Sequence, residues 1–180
     1  MSTVARKIAE PKVVGDDDDE IKEWYEGDSE TAEDAAQYLL FFLDDSYFAT
    51  PLLSVREVIE AQSVKSVPSS QSHFLGIFNL RGEITGAVTM TERDRSKANQ
   101  GRFLVFETDI GPIALVVDDV VAVISLSDDS IDTKVNVKSK VQARHRIGFT
   151  KLGDQLITIV DLKKLLTESE LININSLKKK

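Results

Sequence analysis

Cysteine is absent from this 180-residue chain, which removes disulfide frameworks, thiolate zinc sites and cysteine nucleophiles together and suits a reducing cytoplasm. Histidine occurs twice, as His73 and His145. The two are far apart in sequence, no HExxH pattern surrounds either, and both read as surface or packing residues rather than metal ligands. No apolar run approaches the ~18–20 residues needed to span a bilayer. The first 14 residues, MSTVARKIAEPKVV, hold neither a continuous apolar stretch nor a small-residue cleavage site, so export is not expected. GxSxG, Walker A and GxGxxG patterns are missing as well. Asp118-Asp119 reads as a strand-ending turn, because phospho-acceptor aspartates sit at the ends of parallel strands in doubly wound folds. No nucleophile, base and orienting group can be assembled from these residues. The expectation is a binding module with no catalysis, no metal and no cofactor.

Acidity is confined to one end. Residues 1–36 carry 4 Lys/Arg against 12 Asp/Glu, a net of −8, whereas residues 37–180 carry 18 of each and balance. The run Asp16-Asp17-Asp18-Asp19-Glu20 lacks the alternate spacing, glycine and distant glutamate of a calcium loop. With few apolar groups and no periodicity, 1–36 reads as a disordered acidic tail. Residues 37–170 form the expected folded domain and 171–180 a C-terminal extension.

From Gln37 the texture changes to short apolar runs separated by turn residues. Tyr38–Leu43 and Tyr47–Thr50 flank Asp44-Asp45-Ser46, the pattern of a hairpin. Further strand-like runs cover Phe74–Leu80, Ile84–Met90, Phe103–Glu107, Ile113–Val117, Val120–Leu126 and Leu156–Val160. Helical spacing is clear only near the end, where Asp161 is placed to cap Leu162, Leu165 and Leu166; residues 168–175 extend that helix or pack as a last strand. This is an all-β chain with one late helix.

The chain also repeats itself. A shift of 65 lays Tyr38-Leu39-Leu40-Phe41 on Phe103-Leu104-Val105-Phe106, Phe48-Ala49 on Ile113-Ala114, Val55 on Val120 and Val58 on Val123 without a gap. A shift of 72 lays Gly76 on Gly148, Leu80 on Leu152, Ile84 on Leu156, Val88 on Val160 and Met90 on Leu162. Two long repeats imply two similar β-subdomains of about five strands, closed into small barrels that hide their edges. A groove between them is a natural binding site.

Four stretches occur in a telling order: Ser54-Val55-Arg56-Glu57-Val58-Ile59, Asn79-Leu80-Arg81-Gly82-Glu83-Ile84, Ala114–Val120 and Leu156–Leu162. Together they resemble the CheW family of chemotaxis coupling proteins over about residues 37–167. The resemblance implies two five-stranded SH3-like barrels and no catalytic activity. It implies two partners, the cytoplasmic tip of a methyl-accepting chemoreceptor and the regulatory domain of a CheA-type histidine kinase, in a cytoplasmic protein that meets the membrane only through receptors. It places Val55, Glu57 and Arg81 on or near the receptor face, with Asn79 and Gly82 forming the turn that projects Arg81; it assigns no residue to the kinase. In Arg81 the five donors of a rigid fork suit a partner carboxylate or backbone carbonyls, and an internal pair with Glu57 is the alternative. Where the family usually continues to a proline and an Asp-Leu pair, this chain has Gly86, Thr89 and Met90; a second usual proline is Gln71. An adaptor for another receptor or motility pathway is therefore the alternative function.

A different class of function rests on Lys134, Lys138, Lys140, Arg144 and Arg146, five positive charges without an acid between them. On a small barrel such a stripe suits single-stranded nucleic acid, but no aromatic side chain lies between the charges for bases to stack on. A solvated loop is the expectation, and nucleic acid is not an expected partner.

Overall fold

Ten strands, one α-helix and several 3-10 turns make up the computed structural model, which describes residues 35–68, 73–92, 95–135, 137–139 and 141–179. The acidic segment read as a disordered tail falls outside these residues over 1–34, as do Gln71 and Lys140. The strands are β1 (Ala36–Leu43), β2 (Ser46–Pro51), β3 (Glu57–Glu60), β4 (Phe74–Leu80), β5 (Glu83–Val88), β6 (Arg102–Thr108), β7 (Gly111–Val117), β8 (Asp119–Leu126), β9 (Arg146–Leu152) and β10 (Gln155–Val160).

Two five-stranded sheets result, in the orders β8-β1-β2-β10-β9 and β3-β6-β7-β5-β4. The two shifts found in the sequence carry β1–β5 onto β6–β10 strand for strand. Register follows the same rule: Phe48 faces Thr158 in one sheet as Ile113 faces Gly86 in the other, and Leu40 pairs Ala122 as Val105 pairs Glu57. Yet repeats and sheets do not coincide. Each sheet takes its first two strands from one repeat and its last three from the other, so neither half of the chain contains a whole barrel. Each sheet is closed by a bridge outside its named strands, Lys65 to Ile77 and Asp132 to Phe149.

This exchange accounts for the continuous apolar runs. Along β6, Phe103 and Val105 point into the interior of their own sheet, packing with Phe78, Ala114 and Val116. Leu104 and Phe106 point the other way, into a larger core shared by both sheets with Leu39, Phe41, Phe48 and Leu115. Both faces are buried, so no polar residue interrupts the strand. Two strands escape the sequence reading: β3 is only Glu-Val-Ile-Glu, and β9 begins and nearly ends on cations.

After β10, Asp161 accepts a hydrogen bond from Lys163 N–H and caps a 3-10 turn over Leu162–Lys164. The α-helix is a separate element, α1 (Glu168–Lys178), started by a capping box between Thr167 and Glu170. It runs across position 170, so the terminal residues continue a helix that begins inside the domain. Its buried Ile174 lies 3.2 Å from where a Cβ at Gly86 would stand, which explains glycine at that departure from the family pattern. The other departures keep the local chemistry. Thr89 accepts from Thr91 N–H at 3.4 Å as Asp161 accepts from Lys163, and Met90 is as deeply buried as its counterpart Leu162.

Candidate functional site

Three elements of the β3-β6-β7-β5-β4 sheet converge on one row of charges. The hairpin between β4 and β5 turns through Arg81 and Gly82, with φ of 51° and 92°. A left-handed conformation at both central positions is the two-residue turn that matches strand twist. The Asn79 carboxamide oxygen accepts from Gly82 N–H at 2.7 Å and fixes the turn. Glycine suits this geometry; arginine does not, and its left-handed backbone costs about 1 kcal/mol. At the equivalent turn between β9 and β10 the residue in Arg81's place is Gly153, with φ of 56°.

Arg81 reaches the start of β3, where it donates from both terminal nitrogens to the Glu57 carboxylate at 3.2 and 2.7 Å. The expected alternative, an internal pair with Glu57, is thus realised. The Glu57 side chain is 10% exposed and that of Arg81 66%, so the pair buries its acid and displays its base. Arg56 continues the row, with Nε 3.7 Å from Glu57 and Nη1 donating to Glu107 at 2.6 Å. Val55 is half-buried and packs on the shared core, its N–H bonded to Leu52 O at 3.1 Å. Of the sequence-predicted set, Glu57, Asn79, Arg81 and Gly82 therefore meet at one turn, with Val55 forming apolar support beneath. Arg56 and Glu107 were not anticipated: they lie 51 positions apart, and β3–β6 pairing brings them together.

Glu107 also borders a groove of about 320 Å³ lined by Phe106, Thr108, Leu162, Leu166 and Leu171. It runs between the end of β6 and the segment after β10, hence between the two sheets, with an apolar floor and a charged rim.

A second cluster joins the repeats. His73 and His145 are 72 positions apart and so occupy equivalent places; their carbonyls accept from Thr89 N–H and Asp161 N–H, both at 2.8 Å. The structure brings the two imidazoles, read as separate in the sequence, within electrostatic reach. His145 is 2% exposed, and Arg144 Nε donates to its Nε2 at 2.7 Å. Burial first, then the charge of Arg144 and His73, pushes His145 down to about 4, against an opposing pull from Glu170. Glu170 pairs with Arg144 at 3.6 Å. Burial works against its ionisation, but hydrogen bonds from Thr167 and the charges of Arg144 and His73 hold its carboxyl below the ordinary value.

Two of the five cations of the basic stretch are committed to internal contacts, while Lys134 and Lys138 are exposed. Arg144 is bound as described, while Arg146 donates to Val137 O at 3.0 Å and lies over the Phe149 ring at 5.4 Å. Cations held this way do not form a free phosphate-tracking stripe. Among the described residues no group of three or more His, Cys, Asp or Glu side chains is arranged to hold a metal ion, and no helix is long and apolar enough to cross a membrane.

Comparison with known proteins bears on the family and the fold. The family model described as CheW-like domain matches residues 37–170. A chemotaxis protein CheW of Treponema pallidum is 22% identical over 149 residues, covering 78% of this chain and 88% of that protein. One from Helicobacter pylori is 25% identical over 141 residues, covering 76% and 85%. The crystal structure of the scaffolding protein TtCheW from Thermoanaerobacter tengcongensis superposes with a TM-score of 0.66 at 24% identity, over 76% of this chain and 90% of that one.

Proposed function

We propose, on the premise that the chain belongs to the CheW family of chemotaxis coupling proteins, that it joins a methyl-accepting chemoreceptor's cytoplasmic tip to the regulatory domain of a CheA-type histidine kinase. It works without catalysis, holding the two partners at separate surfaces, and reaches the membrane only through the receptors. Linking them raises the effective concentration of each for the other, so single contacts of micromolar strength suffice for a stable assembly. The receptor face comprises Glu57 and Arg81, with Val55 beneath and Asn79 and Gly82 setting the turn. It continues through Arg56 and Glu107 into the groove between the sheets.

The observation that carries this reading is the left-handed arginine. The equivalent hairpin of the second repeat has Gly153 at this position, left-handed with φ of 56°, although its next residue, unlike Gly82, is not left-handed; a hairpin therefore closes here without arginine. A strained residue that the fold does not need points to use elsewhere. Its guanidinium stays largely exposed while its counter-ion is buried, which leaves donor capacity for a partner's carboxylate or carbonyl oxygens.

Arg81→Gly tests it. Glycine restores the residue the turn prefers, but it leaves the largely buried Glu57 carboxylate to Arg56 alone, so stability should fall by about 1–2 kcal/mol. Affinity for a chemoreceptor tip fragment should fall by about 2 kcal/mol, roughly thirtyfold. Calorimetric titration of both proteins with that fragment, with melting curves alongside, separates the effects. Equal affinity would remove Arg81 from the receptor face.

A further inference from the structure

The duplicated fold supplies its own control, because each strand is built twice and only one copy needs to carry a partner site. The copies differ most around Arg81. Where β2 of the first repeat crosses to the other sheet, the 3-10 turn Leu52–Ser54 presents Leu53 with 101% of its surface exposed. The equivalent residue, 65 positions on, is Asp118, whose carboxylate accepts from Asp44 N–H at 2.8 Å and staples a hairpin. Arg56 corresponds to Val121 and Glu57 to Ala122, both on β8 and both without charge. Arg81 corresponds to Gly153. At four neighbouring positions, then, the second repeat folds with Asp, Val, Ala and Gly, while the first carries Leu, Arg, Glu and Arg. The backbone differs at Leu53, which lies on a 3-10 turn where Asp118 joins β7 directly to β8, but Arg56 and Glu57 stand at the start of a strand paired in the same register as its copy.

Leu52 and Val55, on either side, turn inward and pack on the shared core. Leu53 alone of the three apolar residues on this turn stands clear. A leucine fully in water contributes nothing to folding, whereas burying it in a partner removes its whole apolar surface from water. Around it the Arg81 and Arg56 side chains are 66% and 42% exposed and the Glu107 carboxylate that Arg56 binds is 57% exposed, while Glu57 is 10% exposed, so two guanidinium groups face outward beside one carboxylate.

We propose that Leu53 is the apolar anchor of the receptor-docking face and Arg56 its second guanidinium. The receptor segment that fits it therefore offers a non-polar socket rimmed by carboxylate or carbonyl oxygens. This rests on the receptor reading above and adds to it the central contact and the chemistry of the opposing surface. Buried apolar anchors ringed by polar contacts are where interface energy concentrates.

The test titrates a soluble chemoreceptor signalling-tip fragment against the full chain and three variants. Leu53→Asp should weaken binding at least about thirtyfold with an unchanged melting temperature, since fully exposed positions tolerate substitution. Arg56→Val, which installs the second repeat's residue, should weaken it several-fold, more at low salt than at high salt. Ile172→Asp, on an exposed apolar residue of α1 (64% exposed), should leave binding unchanged. Wild-type affinity in Leu53→Asp, or an equal loss in Ile172→Asp, overturns the anchor and leaves the receptor reading standing. If the wild-type chain does not bind the fragment, the receptor reading itself fails and the anchor with it.

Discussion

Gly76→Ala is expected to destabilise the protein by about 3 kcal/mol or more, the upper end of overpacking costs. A Cβ at this position would stand 2.2 Å from Lys65 O and 2.8 Å from Lys65 C, and both are backbone atoms that no rotamer change can move. The φ of +149° is itself one that a side chain rarely adopts. The close approach exists because Ile77 and Lys65 exchange hydrogen bonds of 3.0 and 2.8 Å, the bridge that closes the β3-β6-β7-β5-β4 sheet. Accommodating a methyl group means opening that bridge. The repeat provides a graded comparison. Gly148 closes the other sheet beside the Phe149–Asp132 bridge, and its Cβ would stand 2.8 Å from Asp132 O, a milder clash than at Gly76, so Gly148→Ala should cost less. Gly82, with nothing within 4 Å, should lose only the ~1 kcal/mol of its backbone preference. Denaturant midpoints for the three variants should follow that order, Gly76 lowest. An unchanged midpoint for Gly76→Ala would contradict the closure described here.

The second large effect is acid sensitivity through His145. Its folded-state value of about 4 lies below the ordinary 6.5, so between these limits the unfolded chain binds the proton and the folded one does not. Stability is therefore insensitive to this group above pH 6.5, falls as pH drops from 6.5 to 4, and levels off below. A displacement of this size corresponds to about 3 kcal/mol. Charging the imidazole would place a buried cation beside Arg144 and His73, with Glu170 the one compensating acid. Urea unfolding from pH 8 to pH 4 should show this loss in the wild type. In His145→Gln the part of the pH dependence that belongs to His145 should vanish, so the two curves should converge toward low pH. Parallel curves would show that His145 does not carry the acid sensitivity.

How much was legible in the sequence depends on which physical signal each element leaves. Strands buried on both faces, such as β6 and β7, write themselves as unbroken apolar runs, and hairpins as runs split by Asp-Asp or Arg-Gly. β3 leaves almost no such signal: four residues bounded by glutamates resemble a loop until their pairing with Phe103–Val105 is known. β9 was visible only indirectly, as the copy of β4 implied by Gly76 and Gly148. The repeat showed that two similar units exist but not that they exchange strands, because equal sequences say nothing about which copy pairs with which. Only the register, Phe48 with Thr158 and Ile113 with Gly86, reveals it.

The site divides in the same way. The VREV and NLRG segments marked Val55, Glu57, Asn79, Arg81 and Gly82, because turn chemistry and order along the chain are local. Arg56 with Glu107, and His73 with His145, are contacts between distant segments. The histidines were nevertheless accessible in principle: the shift of 72 that aligns Gly76 with Gly148 also aligns His73 with His145, and equivalent positions in a pseudo-symmetric fold can meet near its axis.

In the proposed complex one chain holds a receptor and a kinase together at separate surfaces. Sedimentation velocity on the full chain mixed with a chemoreceptor tip fragment and a CheA-type regulatory domain tests it most directly. A single boundary containing all three components, absent when this chain is left out and weakened by Arg81→Gly, is the expected result. Displacement of one partner by the other, or binding of neither, would contradict it.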